Sequence, residues 1–250
     1  MRSRVPSVTV LGVRVACLPS NQVLAAVGEL IDSPGQSLLV YVNAHSLNVT
    51  SVNPAYRRVL DTADLVLNDG SGLAIAAKAQ GKRFPDNLNG TDFTPRILEL
   101  AAERDAPVFF LGGEPGIAEA AAEKLTAQIP RLRVAGCRHG FFGRTEEAGI
   151  LRQIRESSTR VLIVAMGNPK QELWLNQHLG ATGAHLGVAV GAFLDFAAGK
   201  VSRAPSWMRE AGVEWVYRLM LEPKRLFRRY VLGNLLFLGR VAAERISTRR

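Results

Sequence analysis

Along residues 1–199, short apolar runs rich in Val, Ile and Leu alternate with longer amphipathic stretches. The runs predict strands over residues 8–15, 37–42, 64–67, 107–111, 133–137, 160–165 and 185–190. Helix-length segments lie between most of them, at 70–79, 94–103, 116–129, 146–156 and 169–179. This alternation predicts an α/β fold, a doubly wound, Rossmann-like and mostly parallel sheet with right-handed crossovers. Gly12 divides the first apolar stretch, which therefore also reads as a small hairpin ahead of the main sheet. There is no internal repeat and no Ser/Gly linker. The pattern changes only near residue 200, where Pro205 and Pro223 punctuate a segment of mixed aromatic, aliphatic and basic residues. The expected division is a core over 1–204 and a basic, amphipathic, helical appendage over 205–250, suited to a membrane surface.

In open α/β sheets ligands bind beyond the carboxyl ends of the strands. Five expected strand ends carry polar or glycine-rich sequences: Asn43-Ala44-His45, Asn68-Asp69-Gly70-Ser71-Gly72, Gly112-Gly113-Glu114-Pro115-Gly116, Gly167-Asn168-Pro169-Lys170-Gln171-Glu172, and Gly191. Brought to one rim, these make a ligand cleft.

Charge refines the picture. The chain carries 31 basic and 22 acidic residues, a net +9. Residues 200–250 hold 12 basic and 4 acidic residues, so the body is nearly neutral and the tail meets something anionic. Nucleic acid is not expected as that partner, because no zinc-finger, helix-turn-helix or RNP-like signature accompanies the charge. The 47% hydrophobic and 21% charged content is that of a globular protein, and no apolar run approaches the ~20 residues of a spanning helix. No basic-then-apolar leader opens the chain, and Cys17 and Cys137 stand far apart without metal-ligand spacing. A reducing cytoplasm is expected, with the basic tail at an anionic surface.

Candidate chemistry is concentrated at the strand ends. Gly112-Gly113 before a helix lets backbone amides approach a phosphate, although a tight strand-to-helix turn accounts for the pair equally well. Asp69 opens a helix, where a carboxylate either caps the first turn or serves as a general base toward a hydroxyl. Glu172 suits the helix dipole, while Gln171 offers a neutral hydrogen-bonding group to a sugar or phosphate. The four histidines show no HxxH or HExxH spacing and there is no DxD pair, so no metal site is expected. A GxSxG elbow and a Cys-His pair are also missing.

In order along the chain, these motifs resemble the WecG/TagA/CpsF glycosyltransferases (glycosyltransferase family 26) over residues 8–229. The resemblance rests on Asn43-Ala44, Asp69-Gly70-Ser71-Gly72, Asn89-Gly90-Thr91-Asp92, Leu111-Gly112-Gly113 and Gly167-Asn168-Pro169-Lys170-Gln171-Glu172. It continues through Gly191 to Gly199, Arg203-Ala204-Pro205, Glu214-Trp215-Val216-Tyr217-Arg218 and Pro223-Lys224-Arg225. It implies an inverting, metal-independent enzyme with no cofactor. The donor would be a UDP-sugar and the acceptor a polyprenyl-diphosphate-linked saccharide, in cell-surface or exopolysaccharide biosynthesis. The resemblance also implies that the anionic surface is the inner face of the cell membrane, with the enzyme peripheral on its cytoplasmic side. By the same resemblance Asp69 is the base and Gln171 contacts the sugar. Asn43, Asn87, Gly90, Asp92 and Lys170 belong to the substrate pocket, Gly112, Gly113 and Asp195 to the nucleotide region. Arg203, with Arg218, Arg225 and Arg228 of the appendage, completes the basic set. Arg218, Arg225 and Arg228 are spaced to share one helical face if Pro223 does not interrupt it.

Two positions depart from relatives that transfer N-acetylmannosamine: Tyr41 stands where they tend to carry Thr, and Asn87 where they tend to carry Arg. The expected donor is therefore a hexose-type sugar. The alternatives are an N-acetylmannosaminyl or N-acetylmannosaminuronyl transferase of teichoic acid or enterobacterial common antigen type, and a non-catalytic nucleotide-sugar-binding membrane module. Oligomeric state is left open, a homo-oligomer included.

Overall fold

The computed structural model describes residues 5–247, apart from the side chains of Glu210, Arg225 and Ser247. A hairpin comes first, β1 (Ser7–Val10) antiparallel to β2 (Val13–Ala16), turning through Leu11 and Gly12, both at positive φ. That two-residue turn matches the strand twist and settles how the first apolar stretch divides. Six parallel strands follow: β3 (Ser37–Val42), β4 (Leu65–Asn68), β5 (Val108–Gly112), β6 (Val134–Arg138), β7 (Val161–Ala165) and β8 (Leu186–Ala189). Their order is β4-β3-β8-β7-β5-β6. Every residue of β3, β4, β5, β7 and β8 is buried, which is why these strands read as unbroken apolar runs: both faces of the sheet are covered.

Helices cover both faces. One core collects Phe110, Ile163 and Val188 under α1 (Ser20–Asp32), α5 (Gly90–Glu103) and α6 (Ile117–Gln128). The other collects Phe109, Val164 and Val40 under α2 (Ala44–Thr50), α3 (Pro54–Thr62), α4 (Ser71–Ala79), α7 (Arg144–Glu156) and α8 (Lys170–Thr182). Helix α5 begins four residues before the predicted start, because Asn89 caps it by accepting the Asp92 N–H at 3.0 Å.

After the short α9 (Phe193–Ala197), the C-terminal segment runs through α10 (Ser206–Glu210), α11 (Glu214–Leu221), α12 (Pro223–Phe227), a π-helical turn (Arg228–Leu232) and α13 (Gly233–Ser247). Glu222, at φ −133° and ψ 60°, breaks the helix ahead of Pro223, so Arg218 does not continue a face with the residues beyond it. Helix α13 packs against α2 and α4, with Phe237 and Val241 joining the second core. Asn48 Nδ2 donates to the Gly233 carbonyl at 2.7 Å, and Arg240 returns bonds to Asn48. No helix among the described residues is long and apolar enough to cross a membrane.

Candidate active site

The loops after all six parallel strands meet at one cavity of about 1540 Å³, roofed by the C-terminal segment. The crossover from β3 leads out to β4 at one edge of the sheet and that from β5 leads out to β6 at the other, and the crevice opens between these pairs, where β8 and β7 end.

Asp69 lies half-buried on its floor, directly after β4. It does not cap α4; the cap position belongs to Gly70, which makes no side-chain cap bond. The carboxylate instead accepts a hydrogen bond from Asn43 Nδ2 at 3.2 Å. Burial raises its pKa above the ordinary carboxylate value, more than the Asn43 bond and the charges of Arg218 and Arg229 lower it, with Glu214 adding to the rise. A carboxyl so placed retains basicity toward a hydroxyl.

Asn43 is held by its own cap. Its Oδ1 accepts from Ser46 N at 3.1 Å and Ser46 Oγ at 3.3 Å, fixing which way the amide faces. Asn87 is exposed at the rim, where its Oδ1 accepts the Gly70 N–H at 3.0 Å and braces the turn beneath Asp69. Gly90 lines the cavity against the Tyr41 ring, where an added Cβ would stand 3.2 Å from a ring carbon. Tyr41 itself is buried and shares a hydrogen bond with Thr94.

The glycine pair serves packing. Gly112 has φ +151°, and a Cβ there would sit 2.3 Å from the Ala165 carbonyl oxygen. Gly113 lines the cavity, but its N–H is donated to that same carbonyl at 3.0 Å. The strand-to-helix turn thus explains the pair, and the Gly113 amide is not presented to a phosphate.

Gln171 is only 3% exposed. Its Oε1 accepts the N–H groups of Gly167 (3.2 Å) and Gly191 (3.0 Å), tying together the turns after β7 and β8, while Nε2 donates to Glu172 at 3.0 Å. Most of its hydrogen-bonding capacity is therefore committed within the protein. Lys170 lines the cavity with Nζ 3.2 Å from the Gly140 carbonyl. Asp195 also lines it, 3.9 Å from Lys200.

Asp92 and Arg203 form a brace. Arg203 donates to Asp92 at 2.7 Å and lies 3.5 Å from Glu214 of α11, tying the first turn of α5 to the roof. Burial would raise the Asp92 pKa, but the Arg203 and Asn89 hydrogen bonds and the charges of Arg203 and Arg209 hold it below the usual range.

Of the three appendage arginines, Arg218 lines the cavity and stacks over Phe196 at 4.9 Å. The Arg225 side chain lies outside the described residues. Arg228 is exposed and is not among the residues lining the cavity; Arg229, one residue on, is. The π-helical turn starting at Arg228 carries an extra residue per turn, which a sequence reading with α-helical spacing misses. Arg229 acts electrostatically on Asp69, Glu172, Tyr56 and His45; burial and this charge push the His45 pKa down to about 4.

One further residue went unnoticed in the sequence, and another, Glu172, was read there only as a complement to the helix dipole. Phe141, after β6, is 67% exposed on the cavity wall, and only such exposure marks it out. Glu172 is fully buried, its pKa pushed up to about 7 by burial against the opposing bonds of Asn168 and Gln171. No cluster of three or more His, Cys, Asp or Glu side chains suited to a metal ion occurs among the described residues.

The cavity at the carboxyl ends of a parallel sheet, with a carboxylate on its floor and a basic roof, is the setting in which the family comparison applies. The model of the Glycosyl transferase WecG/TagA/CpsF family matches residues 8–250, nearly the whole chain including the roof. The protein belongs to the WecG/TagA/CpsF glycosyltransferase family, whose members transfer sugars from a donor to an acceptor in cell-surface polymer biosynthesis.

Proposed function

We propose that this enzyme transfers a hexose-type sugar from a UDP-sugar to a polyprenyl-diphosphate-linked saccharide, with inversion and without a metal ion. The observation that carries the reading is the pairing of a basic-flanked carboxylate on the cavity floor with an apolar lip. Asp69 faces a space lined by Arg218 and Arg229, and Leu221, Leu235 and Leu238 line the same space while remaining exposed.

The chemistry follows from these positions. Asp69 takes the proton from the acceptor hydroxyl as the oxygen attacks the anomeric carbon, and the bond to UDP breaks on the opposite face. Charge on the departing diphosphate is met by Arg218, Arg229 and Lys170. Gln171 acts as a positioning residue, fixing the turns after β7 and β8. Phe141 offers an aromatic face to the nucleobase. The space beside Asp69 that Tyr41 occupies favours a sugar without a bulky substituent.

Exposed Phe227, Leu232, Leu235 and Leu236 beside Lys224 and Arg228 suit the headgroup layer of an anionic membrane, which would bring the cavity mouth to a lipid-borne acceptor. On this reading the segment 205–250 is the membrane-binding appendage and the enzyme is peripheral on the cytoplasmic membrane face.

The test is UDP release from a panel of UDP-sugars, with a short-chain polyprenyl-diphosphate saccharide as acceptor and EDTA present. Acceptor-dependent release from a UDP-hexose, giving a product of inverted anomeric configuration, is expected. Transfer from UDP-N-acetylmannosamine alone would replace the donor assignment. A strict need for added magnesium or manganese would overturn metal independence, and no transfer across the panel would refute the reaction.

A further inference from the structure

The second carboxyl near the cavity, Glu172, has a place in the structure that the reaction above does not use. It sits in the first turn of α8, with no exposed surface. Its Oε1 accepts two hydrogen bonds, from Asn168 Nδ2 and from Gln171 Nε2, both at 3.0 Å. Among the described residues no donor reaches Oε2, and the same is true of Asn168 Oδ1. A carboxylate charge at such a position has a bare oxygen in a water-excluded space, whereas a proton on Oε2 removes the charge and leaves Oε1 free to go on accepting both amides.

The amides that Glu172 holds lead to the reaction site from two sides. Gln171 carries the order to the amides of Gly167 and Gly191. Asn168 donates to the Tyr56 hydroxyl at 2.6 Å, Tyr56 bonds Ser46, Ser46 donates to Asn43, and Asn43 donates to Asp69. One hydrogen-bonded chain thus runs from Glu172 to the base. The charged and titratable groups facing this region are Arg229 from the π-helical turn, Tyr56 from α3, and, at the far end of the chain, Asp69; His45 of α2 lies next to Arg229.

We propose that Glu172 is a positioning residue for the transfer reaction, working as an undissociated acid that orients the amides of Asn168 and Gln171, and that its ionisation disables donor binding. Ionisation places a negative charge beneath the turns after β7 and β8 and draws Arg229 toward the protein interior, and both changes oppose an anionic donor. The burial that lifts its pKa to about 7 puts this change within the physiological range. The inference rests on the UDP-sugar reading above.

The experiment uses the full chain and UDP as the probe, with calorimetric affinities measured from pH about 5.5 to about 8.5 for wild type, Glu172→Gln and Glu172→Ala. Wild-type affinity should fall ~10-fold across the range, as ionisation of a single linked group produces. Glu172→Gln, which keeps the acceptor and adds a neutral donor, should stay within ~2-fold, and Glu172→Ala should bind weakly at every pH. In parallel, the infrared difference between wild type and Glu172→Gln should show an undissociated carboxyl band that vanishes as pH rises through about 7. A Glu172→Gln profile that falls like wild type, or a folded Glu172→Ala that binds like wild type, overturns the proposal. So does a band missing throughout the range, even if the alanine variant fails to fold. If wild type binds no UDP, the donor reading falls and the positioning role with it, while the infrared band still reports the state of the acid.

Discussion

Asn43 presents its amide nitrogen to Asp69 Oδ2 at 3.2 Å because its amide oxygen is already committed to Ser46 at the start of α2. The helix cap therefore determines which end of the amide meets the carboxylate. A donor facing Asp69 stabilises the deprotonated state that a base needs, in a setting whose burial otherwise favours the neutral form.

Replacing Asp69 with Asn should leave the fold intact and reduce turnover by ~10²–10⁴, with UDP affinity nearly unchanged. Turnover close to wild type would remove Asp69 from the chemistry.

The acidic limb of the pH–rate profile should lie above the ordinary carboxylate range, since activity is lost as Asp69 takes up a proton. Asn43→Ala removes an interaction that lowers this pKa, so the limb should move to higher pH. Loss of the α2 cap should also cost ~1 kcal/mol of stability. A limb that moves to lower pH would contradict the arrangement.

Arg229→Gln and Arg228→Gln should differ sharply. With a short-chain acceptor free in solution, the first should lower kcat/KM by ~10-fold or more and the second by less than ~2-fold, because only Arg229 reaches the cavity. Equal losses would mean that the π-helical turn does not set the register inferred from it.

Leu235 and Leu236 are 66% and 51% exposed, so changing both to Glu should leave the melting temperature nearly unchanged. Sedimentation with vesicles containing phosphatidylglycerol should show binding reduced ~10-fold or more. Removing the whole segment is a poorer test, because it also takes Phe237 and Val241 out of the core. Undiminished sedimentation of the double variant would argue against an interfacial role for this face.

Glu172 also predicts a stability profile. Its pKa is about 7 in the folded protein against an ordinary 4.5, so between these values the native state holds more protons than the unfolded chain. Its contribution to stability falls as pH rises through this window, and the loss is complete above about 7. The gap corresponds to about 3 kcal/mol. Glu172→Gln should therefore melt roughly 5–10 °C above wild type near pH 8 and match it near pH 4.5. Parallel melting curves at all pH values would show that no such proton is held.

The buried strands were legible because a sheet covered on both faces leaves unbroken apolar runs, and the strand-end sequences pointed to the rim where the cavity lies. Asp69 drew notice by its place after a strand, yet its helix-cap reading was removed only by geometry: the cap of α4 is Gly70, and the carboxylate turns to Asn43. Hydrogen-bond direction is likewise invisible in a sequence, so Gln171 read as a group free to meet a sugar when its oxygen already accepts two backbone N–H groups. The exchange of Arg228 for Arg229 has a different origin, an extra residue in one turn that no apolar periodicity announces.

Gly72 lies in the first turn of α4, two positions beyond Gly70; an added Cβ there would stand 3.7 Å from the Phe237 ring and 3.2 Å from the Ala44 Cβ. The C-terminal helix thus rests as a wedge on the two helices whose leading residues carry Asn43 and Asp69. A terminal segment grafted from another member of the family would have to reproduce the shape of that wedge as well as its outer surface. Chimeras that exchange only the tail are therefore expected to misalign Asp69, whereas those that also carry residues 44, 72 and 237 from the same parent should keep it in place.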